Sequence, residues 1–595
     1  MEVTRIFDLL DHYAGLCPDK QVALAGKDSD KWKTYSTKAW IESSRHTSYG
    51  LMARGVRRGD KIASITFNRP EWNILDMGVQ QIGAIHIPIY PTISNKDYHH
   101  ILSHAEVKYV FVAGEEMYRR IKEIVKDIPS LEAIYTFSDL LGYQHLDELI
   151  NLGKEHPQPE QLQKIKDSIK PDDLATIIYT SGTTGTPKGV MLSHNNIISN
   201  FKAVSHIPPF GPEHRAMSFL PLCHIYERMM NYTFLYKGLT MYYISNMGVI
   251  ADSLKEVHPH VFTTVPRLLE KVYDKILTKG RSLKGLRKII FFWANRVGLR
   301  YEIGKVKRNP VYALKLKIAR KLVFSKWKAA LGNNLDIIVS GGAALQPRLN
   351  RVFWAMGLRV LEGYGLTETS PVIAVSDFSP DGIKFGTVGP VLRGVNVRIA
   401  GDGEILVKGP NVMKGYYKDP EQTREVLDED GWFHTGDVGV IEPEGQLRIT
   451  DRKKVIFKTS FGKYIHPQAL ENAFKESPFI DQIMVIGENQ RFPAALIVPD
   501  FNHLRSWCSK KDIPYTTNPE MIAMPRIRAR YQKEVNHYNQ RFGKYERISK
   551  FELLDHEWGV ETGQLSATLK LRRSYLTKTY ADIIETIYSK KNGNT

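Results

Sequence analysis

Up to about Asp377 the chain alternates short apolar runs with amphipathic stretches. Lys61-Ile62-Ala63-Ser64-Ile65, Tyr109–Val112, Ala175–Ile178, His260–Thr263 and Asp336–Val339 predict buried strands. Helical patterns fall between several of them, as in the crossover units of a parallel sheet. After Asp377 the texture changes: alternating, glycine-rich segments such as Gly403–Val407 and Gly445–Ile449 predict antiparallel strands and a small barrel. From about Asp451 a compact α+β unit starts afresh, with a proline-begun helix over Pro467–Lys475, strands over Gln482–Ile486 and Ala494–Val498, and a late strand over Ile548–Leu554. The expected fold class is α/β: a large N-terminal domain, residues 1–450, of parallel or mixed sheets with helices plus a small β-barrel, then a small α+β domain over residues 451–595. The charged run Asp451-Arg452-Lys453-Lys454 between them is the candidate hinge.

Length supports this division, because 595 residues exceed what one ordinary core organises. Hydrophobic residues make up 42% and charged residues 25%, an ordinary globular composition. No run approaches the roughly 18 uncharged apolar residues needed to span a bilayer. The start, Met1 to Asp8, is acidic where a signal peptide needs a basic end and an apolar run. Only Cys17, Cys223 and Cys508 occur, far apart, which argues against a disulfide framework or a zinc site and fits a reducing, cytoplasmic location.

Charge adds a partner class. The net charge is +18, and between Arg281 and Ala330 fifteen Lys or Arg face a single acid, Glu302. Interleaved with them are Ile289, Ile290, Phe291, Phe292, Trp293, Leu314, Ile318, Leu322, Phe324 and Trp327, of which Leu314, Ile318 and Leu322 repeat at helical spacing. Basic charge with aromatics on an amphipathic helix suits peripheral contact with an anionic membrane surface through residues 281–330. A solvated basic face over a buried stripe fits the same pattern. Nothing else suggests base readout, so no nucleic-acid partner is expected.

Chemistry concentrates at Tyr179-Thr180-Ser181-Gly182-Thr183-Thr184-Gly185-Thr186-Pro187-Lys188-Gly189-Val190, directly after an apolar run. Glycines let backbone N–H groups approach phosphate oxygens, hydroxyls donate further bonds, and Lys188 adds positive charge. On composition alone an exposed turn is the alternative. The common nucleotide loop, Gly-Lys followed by Ser or Thr, is absent. Five more motifs follow in order: Leu220-Pro221-Leu222-Cys223-His224-Ile225-Tyr226-Glu227-Arg228; Ser340-Gly341-Gly342-Ala343-Ala344-Leu345; Gly363-Tyr364-Gly365-Leu366-Thr367-Glu368; Gly431-Trp432-Phe433-His434-Thr435-Gly436-Asp437; and Gly563-Gln564-Leu565-Ser566-Ala567-Thr568-Leu569-Lys570-Leu571-Arg572-Arg573. No Gly-x-Ser-x-Gly elbow and no His-Glu-x-x-His appears, so hydrolase and metalloprotease readings have no support.

Together, and in this order, the motifs resemble those of the adenylate-forming enzymes, and within them the AMP-forming long-chain acyl-CoA synthetases, from about Thr34 to Tyr580. The resemblance implies ATP, Mg²⁺ and coenzyme A as cofactors and a long-chain fatty acid as substrate. It implies that Thr180, Ser181, Gly182, Thr183, Thr184, Gly185 and Lys188 hold the ATP phosphates and that His224 sits near the carboxylate being activated. Gly342, Ala343, Ala344, Tyr364 and Gly365 would frame the adenine, Thr367 would bond the α-phosphate, and Glu368 with Thr180 would ligate Mg²⁺. Asp437 and Arg452 would contact the ribose, since a carboxylate accepts from both hydroxyls. Lys454 matches the hinge, Gly462 gives the CoA arm room, and Lys570 is the adenylation lysine. Some bacterial relatives carry an aromatic gate where Arg228 stands, so the gating residue is open. The small domain is expected to be mobile, bringing Lys570 in for the first half-reaction and out for the second. The rival readings are the same adenylation with a carrier-protein acceptor or an aryl acid, and a non-catalytic membrane-associated acyl-binding relative.

Overall fold

The computed structural model describes residues 2–28, 31–181, 186–559, 562–566 and 570–589. Two compact units emerge. Met1–Arg398, Leu406–Thr435 and Ile441–Leu447 make the first; Ile399–Ile405, Gly436–Val440 and Arg448–Thr595 make the second.

The first unit is built on two large sheets. A seven-stranded sheet has the spatial order Gly415–Tyr416, Pro187–Ser193, Leu174–Ser181, Ile85–Ile89, Lys61–Ile65, Val107–Val112, Ala133–Thr136. Its last five strands pair in parallel, while Leu174–Ser181 meets Pro187–Ser193 as an antiparallel hairpin. All five residues of Ile85–Ile89 are buried, which is why these strands show continuous apolar runs and not alternation: both faces are covered. The helix Pro70–Gln81, begun by proline at its first turn, is buried all round, its polar Asn73, Asp76 and Gln80 included.

An eight-stranded sheet has the order Val372–Val375, Arg359–Gly365, Ile337–Ser340, Val261–Thr264, Arg215–Ser218, Thr240–Tyr243, Leu24–Asp28, Lys31–Tyr35. It is parallel except at its two ends. The glycine-rich stretch expected as a small barrel forms a four-stranded sheet, in the order Asn396–Ile399, Glu404–Lys408, Phe433–Ile441, Leu447–Arg452.

The basic stretch folds as helices Gly285–Leu299 and Pro310–Ala319, a π-helical turn Arg320–Phe324 and a short helix Ser325–Ala329. Its packed face is Phe291, Tyr312, Leu316, Ala319, Val323, Phe324 and Trp327. Leu314, Ile318 and Leu322 share helical spacing but point outward, 60%, 41% and 45% exposed.

In the second unit a three-stranded sheet places Ala494–Pro499 between antiparallel Ile480–Ile486 and parallel Lys550–Leu553. The helices Pro467–Phe474 and Pro525–Asn539 supply Leu470, Phe474, Ile527, Tyr531 and Val535 to its core. A buried carboxylate fastens the C-terminal segment to this core: Glu471 accepts from Val485 N at 2.7 Å and takes both oxygens' bonds from Arg573, each at 2.6 Å.

Candidate active site

In the first unit the hairpin strands bring Thr180 opposite Lys188 and Ser181 opposite Pro187, on either side of the segment expected to hold phosphates. Gly182, Thr183, Thr184 and Gly185 lie outside the described residues. Gly189 beyond the loop is sterically required, because a Cβ there would come within 2.7 Å of Ile177 and 3.2 Å of the Tyr179 ring. The Lys188 ammonium stands 5.4 Å from the centre of the Tyr416 ring, a cation–π distance. Tyr416 in turn donates to Glu368 Oε1 at 3.0 Å. Burial, and then the Glu368 charge, raise the Tyr416 phenol far above its ordinary range, so it stays a donor. Lys188 and Glu368 are thus linked through the one Tyr416 side chain.

Glu368 lies in a 3₁₀ turn, Thr367–Thr369, whose Thr367 is buried. Among the described residues no group of three or more His, Cys, Asp or Glu could enclose a metal. Glu368, a single carboxylate held by the Tyr416 hydroxyl, fits Mg²⁺, which keeps waters and binds through one or two carboxylates plus substrate phosphates.

His224, expected near the acid, caps the helix Ile225–Tyr236: its Nδ1 accepts from Tyr226 N at 3.2 Å, which leaves Nε2 as the ring N–H of the neutral imidazole. Its ring meets Tyr90 edge-on, with centroids 6.5 Å apart. Asn68 braces the segment before it, donating to Ser218 Oγ and Leu220 O and accepting from Leu222 N.

Gly342, Ala343 and Ala344 form an exposed turn after the strand Ile337–Ser340, with Gly342 at φ +81°. At neighbouring Gly341 a Cβ would press on the Tyr226 ring at 3.1 Å, and that ring is held in place by its hydroxyl's bond to Val339 O at 2.9 Å. Buried Glu362 ties this turn to the strand carrying Tyr364: it accepts from Leu345 N and from Asn350 Nδ2, and burial pushes its carboxyl up to about 7. Tyr364 is half-buried; a Cβ on Gly365 would collide with Pro371 O.

In the second unit Arg452 Nε donates to Asp437 Oδ1 at 2.9 Å, joining the two residues expected at the ribose. Asp437 is buried and Arg452 exposed. Lys453 is anchored by Asp402 at 2.6 Å and Glu404 at 2.8 Å, whereas Lys454 is exposed. Gly462 sits at φ +73° in the turn between Phe457–Lys458 and Tyr464–Ile465, with open space where a Cβ would be. Lys570 is exposed, its backbone bonded to Ser566 on both sides.

Sequence reasoning did not single out Asn68, Tyr416, Glu362 or Asp76. Each acts through a partner distant in the chain, 48 residues for Tyr416 with Glu368 and 150 for Asn68 with Ser218. Arg228, the open gate position, is wholly buried and paired with Asp76 at 2.6 Å.

Comparison with known proteins agrees along the chain. Residues 10–417 match the AMP-binding enzyme family and residues 455–592 the AMP-binding enzyme C-terminal domain. Long-chain-fatty-acid–CoA ligase FadD15 of Mycobacterium tuberculosis is 33% identical, over 92% of this chain and 91% of its own. Long-chain-fatty-acid–CoA ligase 1 of Homo sapiens is 31% identical, over 94% of this chain and 82% of its own. Among solved structures, the adenylation domain of a carboxylate reductase from Mycobacterium chelonae superimposes with a TM-score of 0.78 at 22% identity, covering 98% of this chain and 91% of that one. An anthranilate CoA ligase, AuaEII, in complex with anthranoyl-AMP gives 0.72 at 18% identity, with 97% of each chain covered. These two likenesses concern the fold. On both matched segments and the extent of the relatives' identity, the chain belongs to the AMP-binding enzyme family.

Proposed function

We propose that the protein activates long-chain fatty acids, joining the acid to AMP and then transferring the acyl group to coenzyme A. The observation that carries the reading is the linkage of Lys188 and Glu368 through Tyr416 beside the phosphate-loop hairpin, in a chain over 30% identical to long-chain-fatty-acid–CoA ligases along nearly its full length.

A carboxylate is a poor electrophile because its leaving group would be oxide. In the first step a carboxylate oxygen bonds to the α-phosphorus of ATP, the bond to the β-phosphate oxygen breaks, and pyrophosphate leaves. In the second, the CoA sulfur bonds to the acyl carbon, the bond to the AMP oxygen breaks, and the thiol proton passes to solvent. The acid is already ionised at neutral pH, so no base is needed for the first step. Bound Mg²⁺ would neutralise phosphate charge. Glu368 and Thr180 would hold it; Lys188 adds a fixed positive charge at the phosphate end. Asp437 and Arg452 are assigned to the ribose, the Gly342–Ala344 turn and Tyr364 to the adenine, Thr367 to the α-phosphate and His224 to the acid. Lys570 would offset the charge that develops on the oxygens around phosphorus during attack. The small domain is assigned a turning point near Lys454, and Gly462 a passage for the CoA arm.

Peripheral attachment to an anionic bilayer belongs to the same reading. Leu286, Ile289, Val311 and Leu314 are 69%, 64%, 62% and 60% exposed within the stretch that carries fifteen basic residues against one acid. Exposed apolar side chains among cations suit a surface that presents acyl chains beneath anionic headgroups, and a substrate that partitions into membranes is collected there. Among the described residues no helix is long and apolar enough to cross a membrane. The test of the activity is pyrophosphate exchange into ATP across a series of acid lengths, with and without CoA. Exchange peaking at long chains, and AMP release with thioester once CoA is added, are expected; AMP release that requires another acceptor would redirect the second step.

A further inference from the structure

The wholly buried network around Arg228 links the two halves of the proposed site. Arg228 donates Nη2–H to Asp76 Oδ1 at 2.6 Å, Nε–H to Tyr232 Oη at 2.7 Å and Nη1–H to Thr176 Oγ1 at 2.8 Å. Tyr232 returns its hydroxyl to Asp76 Oδ2 at 2.5 Å, and Thr176 passes its own to His86 O at 2.6 Å. His86 donates Nδ1–H to Asp76 Oδ1 at 2.7 Å, which leaves Nε2 to accept from Ser64 at 2.8 Å. The guanidinium also lies 5.3 Å from the Trp72 ring. Burial would raise the Asp76 carboxyl, but Arg228, His86 and Tyr232 outweigh it and hold it at about 2, while burial keeps His86 below its ordinary range and neutral. The pair is charge-balanced and each of the three Arg228 nitrogens has an acceptor, the condition under which a buried polar network specifies one geometry.

Its attachments are to functional elements. Arg228 N bonds His224 O at 3.1 Å, closing the first turn of the helix that His224 caps. Thr176 stands in the strand that runs on to Thr180 and Ser181. We propose that Arg228 and Asp76 are positioning residues for adenylation: they lock the helix that begins at His224 to the strand that ends in the phosphate loop, holding the acid-side and phosphate-side groups at one separation. Neither touches substrate in this assignment. The inference rests on the function proposed above.

The test uses the full-length Asp76→Leu/Arg228→Met protein, in which both charges leave together and no buried ion is orphaned. Tyr232 and His86 lose their shared acceptor, so the fold is checked by circular dichroism and a cooperative melt. Pyrophosphate exchange is then read as maximal rate against half-saturation. Misplacement of about 1 Å costs on the order of a hundredfold in rate, so the maximal rate is expected to fall at least about thirtyfold while ATP half-saturation moves less than about threefold. A folded double variant exchanging within about threefold of wild type overturns the proposal, as does a raised half-saturation at unchanged maximal rate. Thr176→Val, which removes the hydroxyl that joins Arg228 to this strand together with its bond to His86 O, decides the matter if the double variant does not fold: a rate loss of about tenfold in a cooperatively folded variant supports the proposal, and an unchanged rate refutes it. Wild-type protein without exchange would sink the functional reading and this inference with it; active wild type with active variants sinks this inference alone.

Discussion

Tyr416 donates its hydroxyl to Glu368 across 48 residues of sequence, at 3.0 Å. The same ring carries the Lys188 ammonium on its face. One aromatic side chain therefore sets the separation between the phosphate-loop cation and the carboxylate assigned to the metal. A hydrogen bond to a charged group contributes about 1.5–3 kcal/mol. Tyr416→Phe keeps the ring and removes that bond. It is expected to lower pyrophosphate exchange on the order of tenfold and to raise the Mg²⁺ concentration for half-maximal rate, measured by titrating the metal at saturating ATP.

Asp437 is buried and held by Arg452. Asp437→Asn keeps the volume but halves the ability to accept two hydroxyl donors, and it leaves Arg452 without its carboxylate partner. We expect the KM for ATP to rise about tenfold or more with a smaller change in kcat. Comparison with 2′-deoxy-ATP checks the assignment: the variant should discriminate against it less than wild type does.

Two buried carboxyls make stability depend on pH in an unusual direction. Burial pushes Glu362 up to about 7 and Glu227, which accepts from Thr263, up to about 8. In the unfolded chain both titrate near the ordinary glutamate value of about 4.3. Between that value and about pH 8 the native state holds protons the unfolded state has lost. The stability they contribute is fully present below about pH 4 and declines as pH rises through 7 to 8. Glu362→Gln keeps one acceptor oxygen and removes the ionisation, so its thermal midpoint, whatever its absolute value, should decline less from pH 5.5 to 8.5 than that of wild type, read by calorimetry across that range.

The outward-facing Leu286, Ile289, Val311 and Leu314 offer a direct handle on membrane attachment. Replacing all four by Gln removes apolar surface at about 25 cal/mol per Å² while leaving the charge intact. Sedimentation with anionic vesicles should show at least about tenfold weaker binding, and exchange with a water-soluble medium-chain acid should be unaffected. Equal binding to neutral and anionic vesicles by wild type would contradict the electrostatic part.

Sequence pattern reached the strands whose signal is local. Lys61–Ile65 has the observed bounds, and the strand foreseen over Tyr109–Val112 begins at Val107. The repeat Leu314, Ile318, Leu322 was legible as a helical face, yet a second face at Tyr312, Leu316 and Ala319 takes the core, and the π-helical turn over Arg320–Phe324 shifts the register that follows. Spacing alone does not say which of two apolar faces packs. Within the site, residues in contiguous motifs could be named, while Tyr416, Asn68 and Glu362 could not, because their roles are created by folding distant segments together. Arg228 illustrates the limit best: its motif left the gating residue open, and the structure shows the side chain buried and paired with Asp76.

The central claim is that ATP and a long-chain acid meet on this protein and that Lys570 serves only the first half of the reaction. Lys570→Ala, assayed beside wild type with a sixteen-carbon acid, measures it most directly. Wild type should exchange pyrophosphate into ATP and, with CoA, release AMP and thioester in equal amounts. The variant should lose exchange by about a thousandfold or more, while still forming thioester from supplied acyl-adenylate at a rate within about tenfold of wild type. Exchange that survives the substitution, or wild-type protein that yields no AMP from long-chain acids, would contradict the account.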